Sequence, residues 1–228
     1  GPHFYIYIIM YFGAILYLSI STIITAREFQ NRSRMLIYPL ILFVMVETVI
    51  QVALPELHVT WLCVTLLSVL YFIYCNEMWN QLDALTGLLN QNSYLKQTGG
   101  VRCKGGVLVV FDVDDFKQIN DRYGHIQGDL CLAGIAECIK KSYANFGYCY
   151  RIGGDEFCVL LKNGGNEGRC KQEFLQRLQE KRGEIAFLPP VSYGSAPFSG
   201  EDIVKVKDRA DQDMYQYKKE RKNRKRLS

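Results

Sequence analysis

Residues 1–76 are almost wholly apolar and aromatic, whereas residues 77–228 carry the mixture of charged and apolar positions usual for a water-soluble chain. One hydrophobic core cannot serve both. Phe4 to Ala26 has no charged residue and exceeds the roughly 20 apolar residues that cross a bilayer. A second run, 35–54, is interrupted by Glu47 and Gln51, and a third, 57–75, is uncharged apart from His58. Three such runs in succession predict an all-α transmembrane region over 1–76, with spans near 4–26, 35–54 and 57–75. Glu47 is then either a buried sensory group or a side chain that reaches the outer surface. Arg27, Arg32 and Arg34 lie in the first loop and no Lys or Arg in the second, which sets the first loop inside and the N-terminus outside. The expected location is the inner (cytoplasmic) membrane, multi-pass, with everything after Cys75 in the cytoplasm. The leading Gly1-Pro2 resembles a proteolytic scar, so further spans upstream are compatible with the sequence.

The eight cysteines contain no C-x-x-C pair, and those beyond residue 76 face a reducing compartment, so free structural thiols are expected. The net charge of +4 is concentrated in 218–226, where seven basic residues and one acid stand together. Such a run could bind phosphates, anionic lipid or nucleic acid, or be solvated. The absence of a recognition helix or an aromatic stacking platform ranks nucleic acid last.

Within 77–228, residues 77–82 extend the third apolar run as a linker helix, and Asp83, Thr86 and Gly87 mark a turn before a short helix ending near Lys96. Gly106 to Phe111 is a continuous apolar run, which predicts a strand buried on both faces. It ends at Asp112, where a carboxylate is well placed for a metal ion. Leu130, Leu132, Ala133, Ala136 and Ile139 have helical spacing. Arg151 to Phe157 places Gly153-Gly154-Asp155-Glu156 between two β-prone runs, as a hairpin whose glycines supply the positive φ of a tight turn. Residues 166–182 read as a helix, 187–196 as a strand with Pro189-Pro190 at its start, and 201–219 as a final helix. The order from Val107 is βαββαβα. It predicts an α+β fold of the ferredoxin-like, palm-type kind with the first strand beside the third, so that Asp112 approaches Asp155.

Five patterns in this order resemble the GGDEF family of diguanylate cyclases over nearly all of 83–226. They are Asp83-Ala84-Leu85-Thr86-Gly87-Leu88-Leu89-Asn90, Phe111 to Asp121, Gly124 to Asp129, Arg151 to Phe157 and, more loosely, Ala210 to Lys218. The resemblance implies a GGDEF domain over 83–228, its basic tail included, and a bacterial signal-transducing transferase. Its implied reaction condenses two GTP into cyclic di-GMP with release of pyrophosphate across a homodimer, using Mg2+ or Mn2+. The implied metal ligands are Asp112, the Val113 carbonyl, Asp155 and Glu156, with Asp155, Glu156 and Lys117 catalytic. The amides of Asp115 and Phe116, with Lys218 and Lys222, are implied to hold phosphates. Asn120 and Asp129 stand at the guanine-contacting positions, and their acceptors suit guanine, which offers adjacent donors, over adenine. Membrane lipid is the other implied partner, and no nucleic acid is expected.

The resemblance is not complete. Gln91, Asp213 and Arg221 stand where an arginine, a small residue and a glycine are usual, and the common product-inhibition pair falls on Ala144 and Gly147, which implies weak feedback by that route. Asp114 and Asp121 are assigned solvated or structural roles. The alternative function is a catalytically weak domain that binds GTP or cyclic di-GMP and signals by contact.

Overall fold

The order of apolar residues along the central strand explains the layers of the domain. In the computed structural model, which describes residues 60–99 and 105–227 and six isolated positions before them, β1 (Gly106–Val113) lies inside a four-stranded sheet. Val107, Val109, Phe111 and Val113 enter one core, and Leu108 and Val110 enter the other. Successive strand residues face opposite ways, so a strand covered on both faces is apolar throughout.

The chain falls into two compact units, Gly1–Trp79 and Asn80–Ser228. In the first, α1 spans Thr60–Trp79, and Phe72 is 70% exposed. Among the described residues no helix is long and apolar enough to cross a membrane. The spans expected over 4–26 and 35–54 lie outside the described residues, and the one over 57–75 coincides only in part with α1. Helix α1 stops at Trp79, so the expected helical linker 77–82 gives way to a turn at Asn80-Gln81 and a bridge between Leu82 and Leu89.

The second unit continues with α2 (Gln91–Thr98), β1, α3 (Phe116–Tyr123), α4 (His125–Tyr143), β2 (Gly147–Arg151), β3 (Glu156–Leu161), α5 (Glu167–Glu184), β4 (Val191–Phe198) and α6 (Ile203–Leu227). The strand order is β2-β3-β1-β4, and the paired strands are antiparallel. This is the α+β, ferredoxin-like arrangement. Helices α4 and α5 cover one face through Ile135, Ile139, Phe174 and Leu178. Tyr94 of α2 and Val206 and Ala210 of α6 cover the other.

Two boundaries differ from the sequence reading. Strand β4 begins at Val191, after Pro189-Pro190, since proline has no N–H for the ladder with β1. Helix α6 runs through the basic segment to Leu227, so 218–226 is its last turns and not a trailing arm. Among the described residues, Cys75, Cys131, Cys138, Cys149, Cys158 and Cys170 are free thiols, and burial pushes Cys149 up to about 12.

Helix α6 lies close against β4 because Gly194 has no side chain. A Cβ there would fall 2.2 Å from the Met214 nitrogen and 2.3 Å from the Ala210 carbonyl oxygen. Neither backbone atom can swing aside. Asp213 accepts a hydrogen bond from the Ser195 amide at 2.9 Å, which accounts for an acid where a small residue is usual. Gly194→Ala is therefore expected to destabilise the domain by about 1–3 kcal/mol or more, read as a lower denaturant midpoint. Gly168→Ala, with open space around its Cβ position, is expected to be neutral or slightly stabilising.

Candidate active site

The site is built where β1 and β3 end together. Their register sets Asp112 opposite Glu156, and the Val113 amide donates to the Asp155 carbonyl at 3.1 Å. Sequence positions over forty residues apart thus share one end of two central strands.

The turn that carries Asp155 does not use the conformation expected of it. Neither Gly153 nor Gly154 has a positive φ. The loop is closed instead by the amides of Ile152 and Gly153, which donate to the Glu156 carbonyl at 3.0 and 3.3 Å. Arg151 then clamps it from outside, donating from Nη2 and Nε to the Gly154 carbonyl at 2.7 and 3.2 Å. A Cβ on Gly153 would press the Glu156 side chain at 3.3 Å, while Gly154 has open space above it. The glycines therefore keep the turn low and its outer face clear.

Arg151 also pairs with Asp83, Nη1 to Oδ1 at 3.0 Å. Asp83 is itself held by the Thr86 amide and hydroxyl at 2.9 and 2.6 Å, and Gly87, at φ 63°, turns the chain back. Leu89 then bridges Tyr150 beside β2, and its carbonyl accepts from the Arg151 amide at 2.8 Å. The Asp83 to Asn90 motif is thus a buttress for the hairpin.

Asp115 adopts a left-handed conformation at φ 55°, a strained state for a residue with a side chain, and stands at the start of α3 without a capping bond from its carboxylate. The first amides of α3, from Phe116 and Lys117, have no intrahelical partners, and a helix start of this kind attracts anions. Lys117 is exposed, and Phe116 is half-buried against the core. At the other end of α3, the Asn120 Oδ1 is buried with no hydrogen-bond partner. Gly128 permits this, since a Cβ there would fall 1.9 Å from that oxygen. Asp129, the next residue, is exposed. A buried acceptor without a partner, lying against the residue that precedes an exposed carboxylate, makes Asn120 and Asp129 candidates for holding a ligand that bears two donors.

The two lysines of α6 diverge. Lys218 bridges Asp112 Oδ2 and Asp114 Oδ1, the latter at 3.0 Å. Lys222 is exposed. Asp114, assigned a solvated or structural role, proves structural: it is buried, accepts from the Ser192 hydroxyl at 2.9 and 3.0 Å, and is paired by Arg221. Arg221 also donates to the Val191 carbonyl at 3.2 Å, which explains its presence in place of glycine. Nothing in the structure explains Gln91.

Among the described residues no three His, Cys, Asp or Glu side chains form a group that could hold a metal. The donor chemistry at this strand end nevertheless suits a hard divalent ion, being carboxylate and carbonyl oxygen. Asp112 already holds a cation there, the Lys218 ammonium.

A family model described as "Diguanylate cyclase, GGDEF domain" matches residues 80–224. The chain belongs to the GGDEF family. It is 32% identical over 160 residues to diguanylate cyclase DgcS of Shewanella oneidensis, covering 67% of this chain and 54% of that protein. It is 28% identical over 165 residues to diguanylate cyclase DgcZ of Escherichia coli, covering 68% and 55%. The chain thus spans about half the length of these curated relatives. In fold it is similar to the coiled coil and GGDEF domain of DgcB from Caulobacter crescentus, at TM-score 0.55 and 24% identity over 70% of this chain and 93% of that one. SiaD of Pseudomonas aeruginosa, solved with its activator SiaC, gives TM-score 0.55 at 22% identity, covering 96% and 85%. At these identities the likeness is one of fold alone.

Burial pushes the Asp83 carboxyl up, but the bonds from Thr86 and Arg151 outweigh it and hold the group below the ordinary aspartate value. A carboxyl depressed in the folded state stabilises above its unfolded pKa and loses that contribution as pH falls through its folded pKa. Asp83→Asn is therefore expected to lose on the order of 1–2 kcal/mol at neutral pH. Its melting temperature is then expected to fall less steeply than that of the parent below about pH 4, as calorimetry across the acid range would show.

Proposed function

We propose that this chain is a membrane-anchored diguanylate cyclase, active as a homodimer of GGDEF domains. Two GTP molecules would be joined: each 3′-oxygen bonds to the α-phosphorus of the other nucleotide, and each α–β phosphate bridge breaks to release pyrophosphate. The observation that carries this reading is the meeting of Asp112, Val113, Asp155 and Glu156 at one end of β1 and β3, beside the free amides at the start of α3.

Mg2+ or Mn2+, held by Asp112, Asp155, Glu156 and the Val113 carbonyl, would supply neutralisation of phosphate charge and activation of the attacking hydroxyl. The chain's own residues do the positioning. The amides of Asp115 to Lys117 receive phosphate oxygens, and the exposed Lys117 ammonium balances charge that develops on them. Lys218 and Lys222 add cationic charge from α6. The unpartnered Asn120 Oδ1 and the Asp129 carboxylate accept from guanine N1–H and the 2-amino group. Adenine would set an acceptor against these acceptors, at roughly 1–3 kcal/mol.

Anchoring is drawn from the charge-free run 4–26 and the run 35–54. With the arginines of the first loop inside, a third crossing over 57–75 would return the chain to the cytoplasm, where the nucleotide site would lie. Ala144 and Gly147 offer no side chain for phosphate or guanine, and Gly147 has no room for one, since its Cβ would meet the Leu160 carbonyl oxygen at 2.3 Å. Feedback by product at that position is accordingly weak.

A second reading, a module that binds GTP or cyclic di-GMP without turnover, draws on the engagement of Asp112 by Lys218. Detergent-purified full chain incubated with GTP and Mg2+ separates the two. Cyclic di-GMP, lost in Asp155→Ala and kept in Asp208→Ala on the exposed face of α6, supports the cyclase. A parent that dimerises and binds GTP yet forms no product supports the module. ATP is expected to be used about 5- to 150-fold less well.

A further inference from the structure

Asp112 and Asp114 are two carboxylates on one strand end, and Lys218 and Arg221 are two cations one helical turn apart on α6. The four charges balance, but they are not shared alike. Arg221 is given to Asp114 and to the Val191 carbonyl, while Lys218 is divided between Asp114 and Asp112. Asp114 keeps the Ser192 hydroxyl and Arg221 whatever Lys218 does. Asp112, by contrast, has Lys218 as its ion-pair partner among the described residues.

The consequence of this division rests on the proposed role of Asp112 as a metal ligand. A divalent ion on the Asp112 carboxylate and the Lys218 ammonium on its Oδ2 are like charges competing for one anion, and their repulsion disfavours holding both. Arrival of metal and triphosphate therefore favours departure of Lys218, and the triphosphate then offers it negative charge. If Lys218 were the sole counter-charge of Asp114, its departure would strand a buried carboxylate, a strongly unfavourable state. Arg221 removes that obstacle. We infer that Lys218 is an exchangeable cation that occupies Asp112 until metal displaces it, and that Arg221 is the positioning residue that frees Lys218 for the nucleotide by holding Asp114.

Mn2+ binding to the full chain without nucleotide, followed by loss of the free-ion paramagnetic resonance signal, tests the exchange. Lys218→Met is expected to bind Mn2+ several-fold more tightly than the parent, and Asp112→Asn in that background to cancel the gain. Lys222→Met, which removes a nearby exposed charge, is expected to change Mn2+ binding little, which separates direct competition from a general electrostatic effect. Affinity for a non-hydrolysable GTP analogue tests the positioning role. Arg221→Ala is expected to weaken it several-fold, Arg221→Lys to restore it, and Arg221→Ala to add no further loss once Lys218→Met is present. Unchanged or weaker Mn2+ binding by Lys218→Met overturns the inference. So does an Arg221→Ala variant that melts earlier but binds the analogue like the parent. Should Arg221→Ala not fold, the Lys218→Met arm decides alone. If the parent and every variant fail to bind Mn2+, the metal-ligand reading of Asp112 falls and the inference with it.

Discussion

The antiparallel pairing of β1 with β3 is the constraint on which the rest of the site depends. Strand side chains alternate, so a slip of one residue would turn Asp112 from the strand end towards the opposite face and replace it with Phe111 or Val113. The register is held on both faces at once, by Phe111 and Phe157 in one core and Val110 and Cys158 in the other. A sheet with one solvated face would have only half of that restraint. The final helix, by covering the second face, thereby contributes to the placing of Asp112 through packing as well as through charge.

The same helix supplies the charges that answer those carboxylates. Gly194 lets α6 approach β4 closely, and that approach brings Lys218 and Arg221 within reach of Asp112 and Asp114. A basic segment that looks from composition like a free arm is instead a continuation of a packed helix. Its charge has a local purpose at its first turn, where two lone carboxylates would otherwise oppose each other at the end of β1.

Much of the fold is legible in the sequence because the governing signals are local. The unbroken apolar run of β1, the helical spacing in α4 and the alternation of elements need only neighbouring residues to be read. The approach of Asp112 to Asp155 follows from that topology, whereas Asn120 is marked out by the family resemblance alone. What is not legible depends on contacts between distant segments. Gly153 and Gly154 invite a reading by backbone conformation, but the turn is set by Arg151 on the Gly154 carbonyl, with clearance the reason for the glycines. Asp115 gives no local sign that it adopts positive φ. Asp114 resembles any strand-exit acid until Ser192 and Arg221, which lie far along the chain, are brought to it.

Arg151 shows how closely these distant contacts are joined. One guanidinium donates to the Gly154 carbonyl and to Asp83, so the turn before Asp155 is supported by a residue from the opening segment of the domain. The two interactions share one planar group, and a shift of Asp83 that drags the guanidinium must lengthen or bend the bonds to Gly154. Leu89 reinforces the link through its backbone, donating to Cys149 at 3.0 Å and accepting from Arg151. The hairpin is therefore not an independent loop. Its geometry is a property of the sheet end and of the residues just after Trp79 together, so the chain segment that enters the domain and the carboxylate it leads to are set by one set of hydrogen bonds.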